Sequence, residues 1–181
     1  MRNYLLLIYC AILCSMCQEN TSQLEKRLFK EYTKKMENKV IILPENLQQL
    51  SGFKDTICPD LLDREYKIVV YVDSLNCTVC QLRLSEWREL IQETEKKKMN
   101  VSFLFYVYAK NYKELSYEMV SSNFTYPVYI DKENDLVKLN KLSTEILYRS
   151  LLVDKNNRVL LVGNPTVKSN IWHRYKAKIL R

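Results

Sequence analysis

The sequence predicts an α/β domain: a three-layer α/β/α sandwich with helices on both faces of a mixed central sheet. Three observations predict it. The runs Lys67–Asp73 (KIVVYVD) and Val101–Ala109 (VSFLFYVYA) are almost continuously β-branched or aromatic, as strands covered on both faces are. Segments with apolar residues at helical spacing follow each of them, and this alternation implies parallel strands. Late in the chain, Arg149–Val153 and Val159–Val162 flank Asp154-Lys155-Asn156-Asn157, whose turn residues make the pair an antiparallel hairpin.

Taken in order, Leu24, Leu28, Phe29 and Tyr32 recur at helical spacing amid charges, which predicts an amphipathic helix or solvated lead-in from Ser22 to Met36. Val40 to Leu43 reads as a short strand ended by Pro44. After the first strong strand, Ser74 to Asn76 form a loop and a long helix begins. In it Cys77, Cys80, Leu84, Trp87 and Ile91 fall at steps of three and four, so one face carries both thiols and the apolar stripe. The expected outer face is Arg83, Glu86, Arg88, Glu89 and Glu93, and Lys96-Lys97-Lys98 end the helix where cations meet the negative end of its dipole. Beyond the second strand the pattern gives a helix near Tyr112 to Ser121 and a third strand at Val128 to Asp131. A short helix around Asp135 to Leu139, the hairpin, and a final helix from about Val167 to Ile179 complete the chain.

At the N-terminus, Arg2 precedes an apolar run from Tyr4 to Leu13 that ends at small residues and cysteine. That is the layout of a secretory signal and is too short to span a bilayer. Cys17 with the polar stretch Gln18 to Ser22 behind it resembles a bacterial lipoprotein signal, in which Cys17 becomes the lipidated first residue. The expected organisation is a signal over 1–16, a lead-in over 17–38 and one domain over 39–181, a length that suffices for one well-buried core.

Composition narrows the function. The net charge is +7, but the lysines are scattered among acids, as on a solvated surface, and an exported chain meets little nucleic acid; no nucleic-acid partner is expected. Two glycines in the whole chain rule out a glycine-rich phosphate loop, and no HExxH, GxSxG or EF-hand pattern is present. A single histidine, His173, cannot build a multi-histidine metal centre, and it reads as a surface residue. Nothing calls for a cofactor.

The chemistry-bearing feature is the pair Cys77 and Cys80. Attack on a disulfide requires a thiolate, which a helix N-terminus favours through its free N–H groups and positive dipole end. Two intervening residues bring the second thiol one turn along on the same face, able to resolve a mixed disulfide formed by the first. Cys77 is therefore expected as nucleophile and Cys80 as the resolving thiol. A zinc site would need two further ligands, for which only Cys58 and His173 remain beyond Cys17. Cys58 reads as a buried apolar residue.

KIVVYVDSLNCTVCQLRLSEWREL, YPVYIDKENDLVKLNKL and LYRSLLVDKNNRVLLVGNP together resemble the successive blocks of exported TlpA/ResA-type thioredoxin-like proteins. They are closer still to a group of uncharacterised thioredoxin-like lipoproteins of Gram-negative bacteria. The resemblance covers about residues 39 to 165. It implies a thioredoxin fold, a place in the periplasm or cell envelope with a lipid anchor to a membrane, and dithiol–disulfide exchange with the thiols or disulfides of exported proteins. Thioredoxin-like enzymes set a cis-proline opposite the CxxC pair. Here that position falls near Tyr148 and no proline lies between Leu136 and Val162, so the facing loop is expected to be trans and differently shaped. Ser74 stands three before Cys77, as in peroxiredoxins, but Val70 occupies the place of their proline. Three readings remain open: a thiol–disulfide oxidoreductase, a non-catalytic binding module stapled by a structural disulfide, and a thiol site that handles metal.

Overall fold

The computed structural model describes residues 23–50, 59–73, 82–109 and 111–181. The chain divides into two units, residues 1–36 and residues 37–181. In the first, residues 23–36 form a helix (α1), as the spacing predicts. Leu24 and Leu28 are exposed and Arg27 pairs with Glu31 one turn on, while Phe29 and Tyr32 are half-buried and Met36 is buried, so the helix is amphipathic.

The second unit is built on a six-stranded sheet. Its strands are β1 (Gln48–Leu50), β2 (Tyr66–Asp73), β3 (Val101–Tyr108), β4 (Val128–Ile130), β5 (Ser150–Asp154) and β6 (Val159–Val162), in the spatial order β1-β4-β3-β2-β5-β6. β2, β3 and β4 run parallel, while β1 on β4, β5 on β2 and β6 on β5 are antiparallel. The two most apolar runs thus hold the middle of a mixed sheet.

The helices are α2 (Leu84–Lys96), α3 (Tyr112–Ser121), α4 (Asp135–Asn140) and α5 (Ser169–Ile179), with short 3-10 turns at Pro59–Leu61 and Ile146–Tyr148. Strand alternation sends Ile68, Val70 and Val72 of β2 and Phe103, Phe105 and Val107 of β3 to one face. There they share a core with Trp87 and Ile91 of α2, Leu115 and Met119 of α3, and Trp172 and Tyr175 of α5. Trp87 stands edge-on to Phe103 and Phe105, with ring centroids 6.1 and 5.6 Å away. Its burial bears out the expected phase of the apolar stripe.

Three expectations are corrected. The strand expected over Val40–Leu43 is reduced to one bridge between Val40 and Arg158. The Asn140 side chain takes the place of a partner strand there: Oδ1 accepts from Ile42 N and Nδ2 donates to Ile42 O, both at 2.8 Å. Pro44 has no N–H with which to continue a ladder, and the strand forms instead at Gln48–Leu50, where the polar sequence QQL had given no signal.

The helix expected to run unbroken from Cys77 is interrupted at Arg83, which adopts the left-handed conformation (φ 49°, ψ 48°), and α2 begins at Leu84. The side chain of Arg83 folds forward onto Glu86, with Nη2 2.8 Å from Oε1. Glu93, expected on the solvated outer face, instead accepts from Trp172 Nε1 at 2.6 Å and Lys176 Nζ at 2.8 Å, because α5 docks beside α2.

Candidate functional site

β2 carries the chain towards the CxxC sequence and α2 carries it away. Cys77 and Cys80, with Cys58 and Cys17, lie outside the described residues. The chain on either side of Cys77 and Cys80 is described, as the carboxyl end of β2 and the beginning of α2; the segment 143–150, which leads into β5, is bonded to Tyr71 of β2. Ligands of open α/β sheets gather outside such carboxyl strand ends.

Segment 143–150 is fastened to the sheet from several sides. Tyr71 of β2 shares its single hydroxyl proton between Ser143 O at 2.8 Å and Tyr148 O at 3.0 Å, while its N–H donates to Arg149 O at 3.1 Å. Arg149 is buried and its Nε donates back to Thr144 O at 2.6 Å. Asn164 N donates to Leu147 O at 2.8 Å and Asn164 Nδ2 to Ile146 O at 3.3 Å. All three carbonyls of the Ile146–Tyr148 turn therefore already accept hydrogen bonds. Behind the turn, Tyr175 Oη donates to Gly163 O at 2.9 Å, and Gly163 itself has a positive φ of 131° that suits a residue without a Cβ.

This is the place where the sequence lacks the expected proline. All described peptide bonds are trans, as expected of a loop without the proline, and Ile146–Tyr148 form a 3-10 turn. Sequence reasoning had not singled out Tyr71, Arg149 or Asn164. Tyr71 sits inside an apolar strand run, and no local pattern distinguishes its hydroxyl as an anchor.

At the other strand ends, Asp131 closes β4 by accepting from Asp135 N and Leu136 N at 2.8 and 2.9 Å, which caps α4. Near α2, the Glu86 carboxyl lies below the usual carboxylate range; burial pushes it up, but hydrogen bonds from Arg83, its own backbone and Ser85 outweigh that. Among the described residues no cluster of three or more His, Cys, Asp or Glu side chains could hold a metal ion. His173 is exposed on α5. No described helix is long and apolar enough to cross a membrane.

No family model matches the chain, and no curated protein matches it. Solved structures do. A candidate thiol:disulfide interchange protein DsbE from Chlorobium tepidum superposes with a TM-score of 0.57 at 13% identity, over 80% of this chain and 99% of that one. A thioredoxin-like protein solved in its oxidised form gives 0.55 at 13% identity, over 80% and 98%. The chain has a thioredoxin-like fold. The mitochondrial 2-Cys peroxiredoxin of Plasmodium falciparum shares it with a TM-score of 0.54 at 17% identity, over 78% of this chain and 90% of that one. Identities this low speak to the fold alone. Within it, the CxxC sequence falls on the connection from the central parallel strand β2 to α2.

Proposed function

We propose that the protein is a thiol–disulfide oxidoreductase of the periplasm or cell envelope, attached to a membrane through lipid on Cys17, with Cys77 and Cys80 as its reactive pair. The observation that carries this reading is the position of the pair in the sequence, between the central parallel strand of a thioredoxin-like sheet and the amphipathic helix packed on it. The domain spans 39–181, and 17–38, including α1, is the lead-in from the anchor.

In the proposed reaction the Cys77 thiolate attacks one sulfur of a disulfide in an exported protein, forming a mixed disulfide and releasing the other sulfur as thiolate. The Cys80 thiolate then attacks Cys77 Sγ, which frees the substrate's second thiolate and leaves a Cys77–Cys80 disulfide. The substrate gains two electrons and the pair loses two; a membrane dithiol donor must return them.

The test is trapping in the native envelope. Cys80→Ser should accumulate mixed disulfides with exported proteins, and Cys77→Ser should accumulate none, since the resolving thiol cannot begin the exchange. Absence of trapped partners from Cys80→Ser would remove the enzyme reading.

A second reading, a non-catalytic binding module stapled by a Cys77–Cys80 disulfide, is favoured by the occupied carbonyls of Ile146–Tyr148. An extended substrate chain would have to share those carbonyls with Tyr71 and Asn164. A Cys77–Cys80 couple below about −300 mV, in the range of structural disulfides, would favour this module over the enzyme.

A further inference from the structure

On the sheet face opposite α2, a cavity of about 700 Å³ opens over β2, β3 and β4. Alternation places Lys67, Tyr106 and Tyr129 on this face, opposite the core residues Ile68, Phe105 and Val128. The apolar part of the wall comes from the segment before β1, with Ile41, Ile42, Leu43, Pro44 and Leu47, joined by Leu62; Glu45 and Lys155, of opposite charge, also line the cavity. The volume lies within the roughly 300–1,000 Å³ usual for small-molecule pockets.

The polar groups have unused hydrogen-bonding capacity. Lys67 is only 1% exposed, and its Nζ donates to Leu62 O at 3.2 Å and Lys155 O at 2.8 Å. An ammonium has three N–H donors, so one is left over among the described residues. Among the described residues no carboxylate forms an ion pair with it; Asp154, Asp63 and Glu65 act on it from farther away, and burial still pulls its pKa down. A buried cation met only by neutral carbonyls is costly, and a carboxylate supplied from outside would offset that cost. Tyr106 is 3% exposed and stacks on Tyr129 with centroids 5.1 Å apart. Asn157, in the same wall, keeps Oδ1 without a donor.

We propose that this cavity binds a small amphipathic carboxylic acid, with its carboxylate on Lys67 Nζ and its hydrocarbon body between the Ile41–Leu47 wall and the stacked rings of Tyr106 and Tyr129. Charge complementarity favours the acid, since the one buried ammonium in the cavity forms no ion pair with a carboxylate among the described residues. The site lies on the opposite sheet face from α2 and is independent of the thiol reading.

Calorimetric titration of the whole protein with sodium decanoate, below its micellar concentration, tests the inference. Decanoate should bind saturably at one site and about tenfold more tightly than 1-decanol or methyl decanoate, which lack the charge. Lys67→Met should abolish that preference, and Leu47→Trp should close the cavity to all three probes. Comparison of the acid with its ester uses unaltered protein, so the charge dependence is read even if Lys67→Met fails to fold. No saturable decanoate binding, equal binding of acid and ester, or unchanged binding by folded Lys67→Met or Leu47→Trp would overturn it.

Discussion

Trp172 of α5 donates its indole N–H to Glu93 of α2 at 2.6 Å, and this bond ties the C-terminal helix to the helix that follows the CxxC sequence. Lys176, 2.8 Å from the other carboxylate oxygen, and Lys97, at 2.6 Å, add two cations. Hydrogen bonds from Lys176 first, then from Lys97, with a lesser one from Trp172, hold the Glu93 pKa down at about 2 against the opposing effect of burial.

A pH dependence follows from that depression. The folded pKa lies below that of an unfolded glutamate, so the contribution is full above about pH 5 and is lost as pH falls towards 2. Glu93→Gln should cost about 1–3 kcal/mol at pH 7, the range for a hydrogen bond to a charged group. Urea unfolding from pH 7 to pH 2 should show the two proteins converging as Glu93 is protonated. A gap that stays constant across that range would mean the carboxylate charge contributes nothing.

Trp87 is the centre of the core that α2 shares with the sheet, edge-on to both Phe103 and Phe105. Trp87→Ala should cost about 3–5 kcal/mol, as deletion of a large buried aromatic does. Equilibrium denaturation measures it directly. A loss below about 1 kcal/mol would show that the helix packs on another face.

The parts of this fold that were legible in the sequence are those where one physical effect dominates. β2 and β3 announce themselves because burial on both faces demands unbroken apolar runs, and the Asp154–Asn157 turn because its residue types suit few other structures. β1 was illegible: an edge strand needs only backbone pairing, and Gln48-Gln49-Leu50 has no alternation to read. The apparent strand at Val40–Leu43 misled because its backbone meets the hairpin only at Val40 and Ile41, and at Ile42 the partner is already a side chain, Asn140, nearly a hundred residues away. The CxxC motif was legible as a motif. Lys67 was not legible as part of a cavity, since a lysine opening an apolar strand looks like a solvated flank until the chain around Leu62 and Lys155 closes over it.

The proposed anchor makes a separate prediction. Cys17→Ser, expressed from the full chain in the native host, should move the protein from the membrane fraction to the soluble periplasm, because the several acyl chains of a lipoprotein hold where one alone is marginal. Fractionation with immunodetection reads this. An unchanged distribution with normal leader processing would remove lipid attachment from the proposal.

Arg83 offers a test of the backbone between the cysteines and α2. With φ at 49° it sits where a Cβ is unfavourable and glycine is not. In a continuous helix, by contrast, glycine is about 1 kcal/mol worse than alanine. The comparison of Arg83→Gly with Arg83→Ala therefore discriminates between the two backbones, since both variants lose the half-exposed pair with Glu86 equally. The left-handed residue predicts that Arg83→Gly is the more stable of the two by about 1 kcal/mol, measured by urea unfolding. The reverse order, with alanine more stable by a similar amount, would mean a helical backbone at Arg83. Paired with the rate of Cys77 alkylation in each reduced variant, the experiment also reads function. If the left-handed turn sets the position of the preceding segment, Arg83→Gly should leave the alkylation rate near that of the unaltered protein, whereas a substitution that favours helix should change it.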